Sequence, residues 1–391
     1  MENDTLKNKT IDSMIWSFVD NIGSQVIQLI IQLFLARLLT PRDFGIIGMV
    51  TIFIALSQVF IDSGFTNGII REKNVSQDDY STIFFFNLFM AVILYILLFA
   101  SAGYISAFFE VPQLVLIVKV LGLVLIINAF GLIQKTILTK KIDFAIQMKV
   151  NLISSVVSGI IAIGFALAGF GVWSLVIRNL IMQLLQAILF SLANQWKPAL
   201  VFSKSSFKRL FSFGWKLLVA SLLSKIYENI YALIIGRGFS TVSLGFYTNA
   251  RKLSETFSFS VASSVEKVSY PVLSNIQDDP ERLKSGFKKI VKNSVFLTFP
   301  AMLGLVTVAA PAFRLLLGEN WIPAIPYFQI ISLSGMLTSL NSINLNILQV
   351  KGRSDLFLKL SIYRKITGFM MIGFVLFFNL GIMELLWALV I

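Results

Sequence analysis

The stretch WSFVDNIGSQVIQLIIQLFLARLLTP, from Trp16 to Pro41, sets two demands against each other. It is long and apolar enough to cross a bilayer, whose hydrocarbon core is spanned by about 20 helical residues. Yet it carries Asp20, Asn21, Ser24, Gln25, Gln28 and Gln32. Such side chains cost free energy in hydrocarbon unless they face protein or trapped water, and an Asp at a helix centre costs about 2.5–3.5 kcal/mol on insertion scales. Asp20, Ser24, Gln28 and Gln32 recur every four residues, with Asn21 and Gln25 beside them. At about 100° per residue this is one stripe that drifts slowly round the helix. The spacing predicts a membrane helix with one face turned to a wet interior.

The remaining chain follows the same pattern. Of its 391 residues 56% are hydrophobic and 14% charged, and the mean hydropathy is +0.81. Apolar runs between short polar joints predict spans at 14–39, 44–63, 80–108, 113–139, 150–169, 172–193, 212–236, 246–270, 286–310, 323–350 and 355–379, with a further start at 382. This is the signature of an all-α, polytopic membrane protein. The span at 246–270 is the most polar of them, and Asp62, ahead of Gly64, reads as a helix-end residue. Lys7 and Lys9 precede the first run, but no small-residue cleavage site follows it, so it reads as a retained helix. The chain has no cysteine and no histidine. That excludes disulfides, thiol and imidazole catalysis and the usual zinc sites. No catalytic residue, metal or cofactor is expected.

Basic residues orient the spans. The joints after even-numbered spans hold seventeen, including Arg71, Lys73, Lys140, Lys141, Lys197, Lys204, Lys208 and Arg209, whereas the joints after odd-numbered spans hold only Arg37, Arg42, Arg237 and Arg314. Basic joints stay in the cytoplasm, so both termini are expected there. The net charge of +13 is mostly this bias. It points to anionic membrane lipid as the partner and not to nucleic acid.

The chain also repeats itself. With a shift near 200, RLLTPRDFG (Arg37 to Gly45) lies over RGFSTVSLG (Arg237 to Gly245), Ser24 over Ser224, and Gln77-Asp78-Asp79 over Gln277-Asp278-Asp279. Beyond the joint GENWIPAIP the shift grows to about 210, where Gly122 matches Gly335, Asn128 matches Asn341 and WSLVI (Trp173 to Ile177) matches WALVI (Trp387 to Ile391). Two pseudo-symmetric six-helix bundles are expected: a lobe over 1–193, a cytoplasmic linker over 194–211 and a second lobe over 212–391. The twelfth helix is cut short relative to its counterpart, so the natural protein is expected to continue past Ile391.

The repeat lays the seventh span over the first, and the seventh has its own polar stripe of Ser221, Ser224, Lys225, Glu228 and Asn229. Facing polar stripes suit a cavity between the halves. The candidate substrate-binding residues are Gln25, Gln28, Gln32, Arg178, Lys225, Arg251, Lys252 and Asn341; Asp20, Glu228 and Glu255 are candidate ion-coupling residues. Blander readings stand beside these. Lys225 and Glu228, at i and i+3, can neutralise one another; Arg251 and Lys252 can snorkel; Asp20 can bond to a neighbouring helix. No nucleotide-binding GxxxxGK[ST] occurs, and the outward joints are too short for the catalytic loop of a glycan polymerase or ligase. A gradient-driven transporter is what the residues leave.

LARLLTPRDFGIIGMVTIF (Leu35 to Phe53) and DSGFTNGIIREKNVSQDDYSTIFFFN (Asp62 to Asn87) resemble the opening helices of bacterial polysaccharide exporters. KKIDFAIQMKVNLISSVVSGIIAIGFALAGFGVWSLVIRNLI, beginning at Lys140, resembles their fifth and sixth helices. The resemblance covers essentially the whole chain and is nearest to Wzx/WzxC-type lipid-linked oligosaccharide flippases of the multidrug/oligosaccharidyl-lipid/polysaccharide (MOP) exporter superfamily. It implies a two-lobed, V-shaped carrier that opens alternately to each side. Its cargo would be an undecaprenyl-diphosphate-linked glycan moved from the inner to the outer leaflet, with a polysaccharide polymerase among its partners. Cationic side chains would take the diphosphate, and Ser, Asn and Gln the sugar hydroxyls. A drug/cation antiporter of the same superfamily is the alternative, and a membrane enzyme acting on lipid-linked glycans is a more distant one.

Overall fold

The computed structural model describes residues 23–276, 279–351 and 353–390, so Trp16, Asp20, Asn21, Gln277, Asp278 and Ile391 lie outside the described residues. Helices α1 (Gly23–Leu38), α2 (Pro41–Asp62), α3 (Phe65–Arg71), α4 (Gln77–Phe109), α5 (Leu114–Leu121), α6 (Leu123–Lys140), α7 (Phe144–Leu167) and α8 (Val172–Asn194) come first. Then follow α9 (Lys204–Gly238), α10 (Thr241–Asn275), α11 (Pro280–Leu316), a 3-10 turn (Glu319–Ala324), α12 (Ile325–Val350), α13 (Ser354–Phe377) and α14 (Ile382–Trp387). No strand occurs among the described residues. Eight of the described helical stretches, with α5 and α6 forming one of them, are long and apolar enough to cross a membrane.

Local chemistry sets the helix starts. Thr40 caps α2 and exchanges hydrogen bonds with Asp43, with Pro41 in the first turn; Ser76 and Asp79 make the same reciprocal box at α4. Two positions aligned by the sequence repeat cap their helices alike. Thr40 accepts from the Asp43 amide, and Ser240, its counterpart ahead of α10, accepts from the Ser243 amide at 3.0 Å. Asp62 does end α2: its carboxylate takes the Thr66 amide at 3.1 Å, while Ser63 and Gly64 turn the chain through the left-handed region (φ 46° and 74°). The short helix α3 restarts there, which hydropathy alone did not mark.

Along the long helices, large apolar side chains stand exposed, among them Phe89 (63%), Ile96 and Leu97 on α4 and Ile160 on α7. Hydrocarbon, not water, is the solvent for such a surface, since the backbone polar groups are satisfied within the helices. The protein is a multi-pass membrane protein.

Two compact units divide the chain, 1–244 and 245–391. In the first, α9 and the joint before it belong with α2 to α8. The α9 backbone passes so close to the α2–α3 corner that a Cβ at Gly64 would overlap the Gly214 carbonyl oxygen, and one at Gly214 would lie 2.6 Å from the Ser63 oxygen. Around this crossing Phe65, Ile69, Ile83, Phe84, Ile133, Ile137 and Leu210 form a buried cluster. At the far end of α9, Arg237 pairs with Glu110 at 2.5 Å. In the second unit α11 and α12 pack together, with Trp321 fully buried against Phe246 and a close approach of Gly335 to Ser258.

The basic joints of the first unit gather at one end. There the segment after α8 is tied to the start of α4: Gln77 donates to the Lys197 carbonyl (2.7 Å), Trp196 Nε1 donates to Gln77 (2.6 Å), and the Ala199 and Ser203 amides donate to Ser81 (3.0 Å) and Thr82 (2.9 Å). Arg209 reaches the buried Asp79 at 2.5 Å. The opposite end holds Thr40, Glu110, Gly171 and Arg237.

Gly64→Ala must place a Cβ against backbone in a left-handed residue, a strain of about 1–3 kcal/mol. It is expected to lower the thermal midpoint of the detergent-purified protein by several degrees. Gly164→Ala, where a Cβ would meet nothing within 4 Å, is expected to leave the midpoint unchanged.

Candidate functional site

Helix α1 has three faces. Ile27, Ile31 and Leu35 pack on Ala162, Ile163 and Ala166 of α7, with Ile31 seated over Gly159, where any Cβ would overlap it. Val26, Ile30, Phe34 and Leu38 stand exposed. Between these apolar faces run Gln25, Gln28 and Gln32: Gln32 is buried and the other two half-buried, and Gln28 forms no hydrogen bond with any described residue. The stripe read from the sequence therefore survives over its described part, and Asp20 lies outside that part.

The charged candidates sort into pairs and remainders. On α9, Lys225 Nζ lies 2.6 Å from Glu228, so the neutralising reading of this pair is realised. On α10, Arg251 lies 2.6 Å from Glu255 and its guanidinium also donates to the Tyr247 hydroxyl at 3.3 Å. Arg251 is held by acceptors on its own helix, one turn to either side. Lys252 is exposed and Asn341 is exposed on α12. Arg178, on the membrane-spanning helix α8, is half-buried and makes no ion pair or hydrogen bond with any described residue. Gln25, Gln28, Gln32, Arg178, Lys225 and Glu228 belong to the first unit; Arg251, Lys252, Glu255 and Asn341 belong to the second.

A polar seam within the first unit escaped the sequence reading in part. Asn128 on α6 donates to Gln183 on α8 (3.3 Å), and Gln186 donates to Asn151 on α7 (3.2 Å). Beside them is a cavity of about 170 Å³ lined by Asn128, Gln183, Gln186 and Lys135, at the level where Gly131 lets α6 approach Ala187 of α8. The spacing of Gln183 and Gln186 at i and i+3, against Asn128 and Lys135 two turns apart, was the signal available. Among the described residues no group of three or more acidic side chains could hold a metal ion.

These features, a helical membrane protein whose polar side chains are gathered into stripes and seams, meet a family match. Residues 34–326 fit the model of a family described as polysaccharide biosynthesis protein. The chain belongs to that family. Its relatives include the teichuronic acid biosynthesis protein TuaB of Bacillus subtilis (strain 168), 27% identical over 87% of this chain and 71% of TuaB. The lipopolysaccharide biosynthesis protein WzxC of Escherichia coli (strain K12) is 24% identical over 92% of this chain and 74% of WzxC. In fold the chain is similar to the lipid II flippase MurJ in an inward closed conformation, with a TM-score of 0.77 at 14% identity, covering 96% of this chain and 84% of that one. The expected Wzx-type membership and the all-helical transporter fold of this family are borne out.

Lys225 and Glu228 compensate each other in a low-dielectric span, so removing Glu228 takes away the carboxylate that Lys225 is paired with, whereas removing both leaves neither charge behind. Glu228→Ala is expected to lower the thermal midpoint more than the Lys225→Ala/Glu228→Ala double variant does, measured by fluorescence-detected melting in detergent.

Proposed function

We propose that the protein flips an undecaprenyl-diphosphate-linked oligosaccharide repeat unit from the inner to the outer leaflet of the bacterial cytoplasmic membrane. The repeat unit would be destined for lipopolysaccharide, capsule or exopolysaccharide. The observation that carries this is the charge left over once the ion pairs are formed. Lys225 and Arg251 have acidic partners, whereas Arg178 and Lys252 have none among the described residues. A guanidinium held in a membrane span without a counter-ion asks for an anionic ligand, and a diphosphate answers it with charge-assisted hydrogen bonds. A drug/cation antiporter would need the opposite remainder. The names of relatives, TuaB for teichuronic acid biosynthesis and WzxC for lipopolysaccharide biosynthesis, support a polysaccharide cargo.

In this reading the end of the first unit that carries Lys140, Lys141, Lys197, Lys204 and Arg209 faces the cytoplasm, and so do both termini. The amide stripes of Gln25, Gln28 and Gln32 and the exposed Asn341 meet sugar hydroxyls, while the lipid tail stays in the bilayer. Binding and release alternate between the two sides, coupled to an ion gradient through an acidic group such as Glu228 or Glu255. No bond is made or broken, so the protein works beside a polymerase and is not itself an enzyme.

Deletion of the gene in its native host is expected to leave finished lipid-linked repeat units on the inner leaflet, detected by their protection from an externally added glycan-oxidising reagent. Arg178→Ala is expected to reproduce most of that block, with export reduced about tenfold or more and the protein still inserted and abundant. Normal export from both strains, with new sensitivity of the deletion to cationic drugs, would overturn the reading.

A further inference from the structure

A second cavity, of about 350 Å³, opens at the end of the first unit opposite its basic joints. Its volume is at the lower end of the range for small-molecule sites. It is built where three segments meet: the first turn of α2, the start of α5 and the tight α7–α8 turn. That turn is made possible by Gly169 and Gly171, whose φ values of 84° and 54° suit glycine. The Gly171 backbone is close enough to α2 that a Cβ there would lie 3.5 Å from Asp43 Oδ1. Phe170, between the two glycines, is held against Phe165 with ring centroids 5.1 Å apart.

The lining offers donors and acceptors that nothing else uses. Asp43 spends Oδ2 on the Thr40 amide (2.9 Å) and hydroxyl (2.7 Å), which leaves Oδ1 with no hydrogen bond among the described residues. The Gln113 side-chain amide and the Trp173 indole N–H likewise have no side-chain partner among the described residues. Asp43, Gln113, Phe170 and Trp173 therefore line one small space and carry between them a carboxylate oxygen, an amide able to give and take, an indole donor and two aromatic rings. A cation would use the carboxylate and the rings but not the two donors. A phosphate would be repelled by Asp43. A neutral polyol uses all of them, because each hydroxyl both donates and accepts and its C–H face can lie on an aromatic ring.

We propose that this cavity is a subsite for a neutral sugar residue, placed to receive the glycan on the outer side of the membrane. The inference rests on the glycan-flipping reading and on the orientation that goes with it.

The test is saturation-transfer NMR on the whole protein in lipid nanodiscs, with methyl glucoside, methyl galactoside and methyl N-acetylglucosaminide as separate probes, and methyl glucuronide and tetramethylammonium as controls. At least one neutral glycoside is expected to bind. Trp173→Leu and Gln113→Ala should each weaken it about fivefold or more, with thermal midpoints unchanged. Glucuronide should bind only to the Asp43→Asn variant, whose amide oxygen can still accept from Thr40. Binding of tetramethylammonium with no glycoside bound, or glycoside binding unaffected by both substitutions, would overturn the subsite. Leaflet distribution in the deletion strain is read in parallel. Inner-leaflet accumulation with no glycoside binding sinks the subsite and leaves the flippase. Glycoside binding with normal export from the deletion strain sinks the flippase and leaves a sugar site.

Discussion

Hydrocarbon offers no hydrogen bonds, so every polar group that crosses it must find its partner inside the protein, on a cargo or in trapped water. The architecture follows from this one constraint. It restricts the described elements to helices and confines α1's amides to the strip between a packed face and an exposed apolar face. It sets Asn128 against Gln183 and Asn151 against Gln186 across α6, α7 and α8. It also explains why Lys225 on α9 and Arg251 on α10 each have a carboxylate about one turn away, since a cation beside a carboxylate is far cheaper to hold in a span than either alone. At Arg178 the rule is left unmet among the described residues, and in the proposed reading an anionic cargo meets it.

A second constraint is steric. The α2–α3 corner and α9 meet through Gly64 and Gly214 with no side chain between them, and such contact lets aromatic rings from both sides close over the crossing. Phe65, Phe86, Phe207 and Phe211 pack there with centroids 5.1–6.0 Å apart, Phe207 and Phe211 stacked and the others edge-on or tilted. The seventh helix of the sequence is thereby fixed to the first compact unit, although the repeat pairs it with α1.

Much of this was legible in advance, because the signals are long and cooperative. A run of twenty apolar residues is hard to misread, and the spans at 44–63, 80–108, 172–193 and 355–379 reappear as α2, α4, α8 and α13 within a few residues. Asp62 was recognisable as a helix end from the glycine behind it. The side-chain pairing of Lys225 with Glu228 was visible as an i, i+3 spacing. What the chain hid depends on contacts between distant residues. Helix α3 is too short to show a period, and the break at Gly122 arises where α5 and α6 press on Tyr95 and Leu98 of α4. The cavity at the end opposite the basic joints draws Asp43, Gln113 and Trp173 from three segments, none of which carries a motif alone. The position of α9 could not be read from hydropathy, because glycines that permit a crossing look like glycines that do not.

The hydrogen bonds that tie the segment after α8 to the start of α4 join residues 118 to 121 positions apart. That separation has a meaning in time. A chain that enters the membrane from its amino terminus makes Gln77, Ser81 and Thr82 long before it makes Lys197, Ala199 and Ser203. Throughout the synthesis of α4 to α8 the polar start of α4 has no such partners. The first unit can therefore close only after its last hairpin has been threaded, and Asp79 waits for Arg209. The strap therefore forms only once α4 to α8 have all been made, so a fault in any of them leaves the polar start of α4 without its partners.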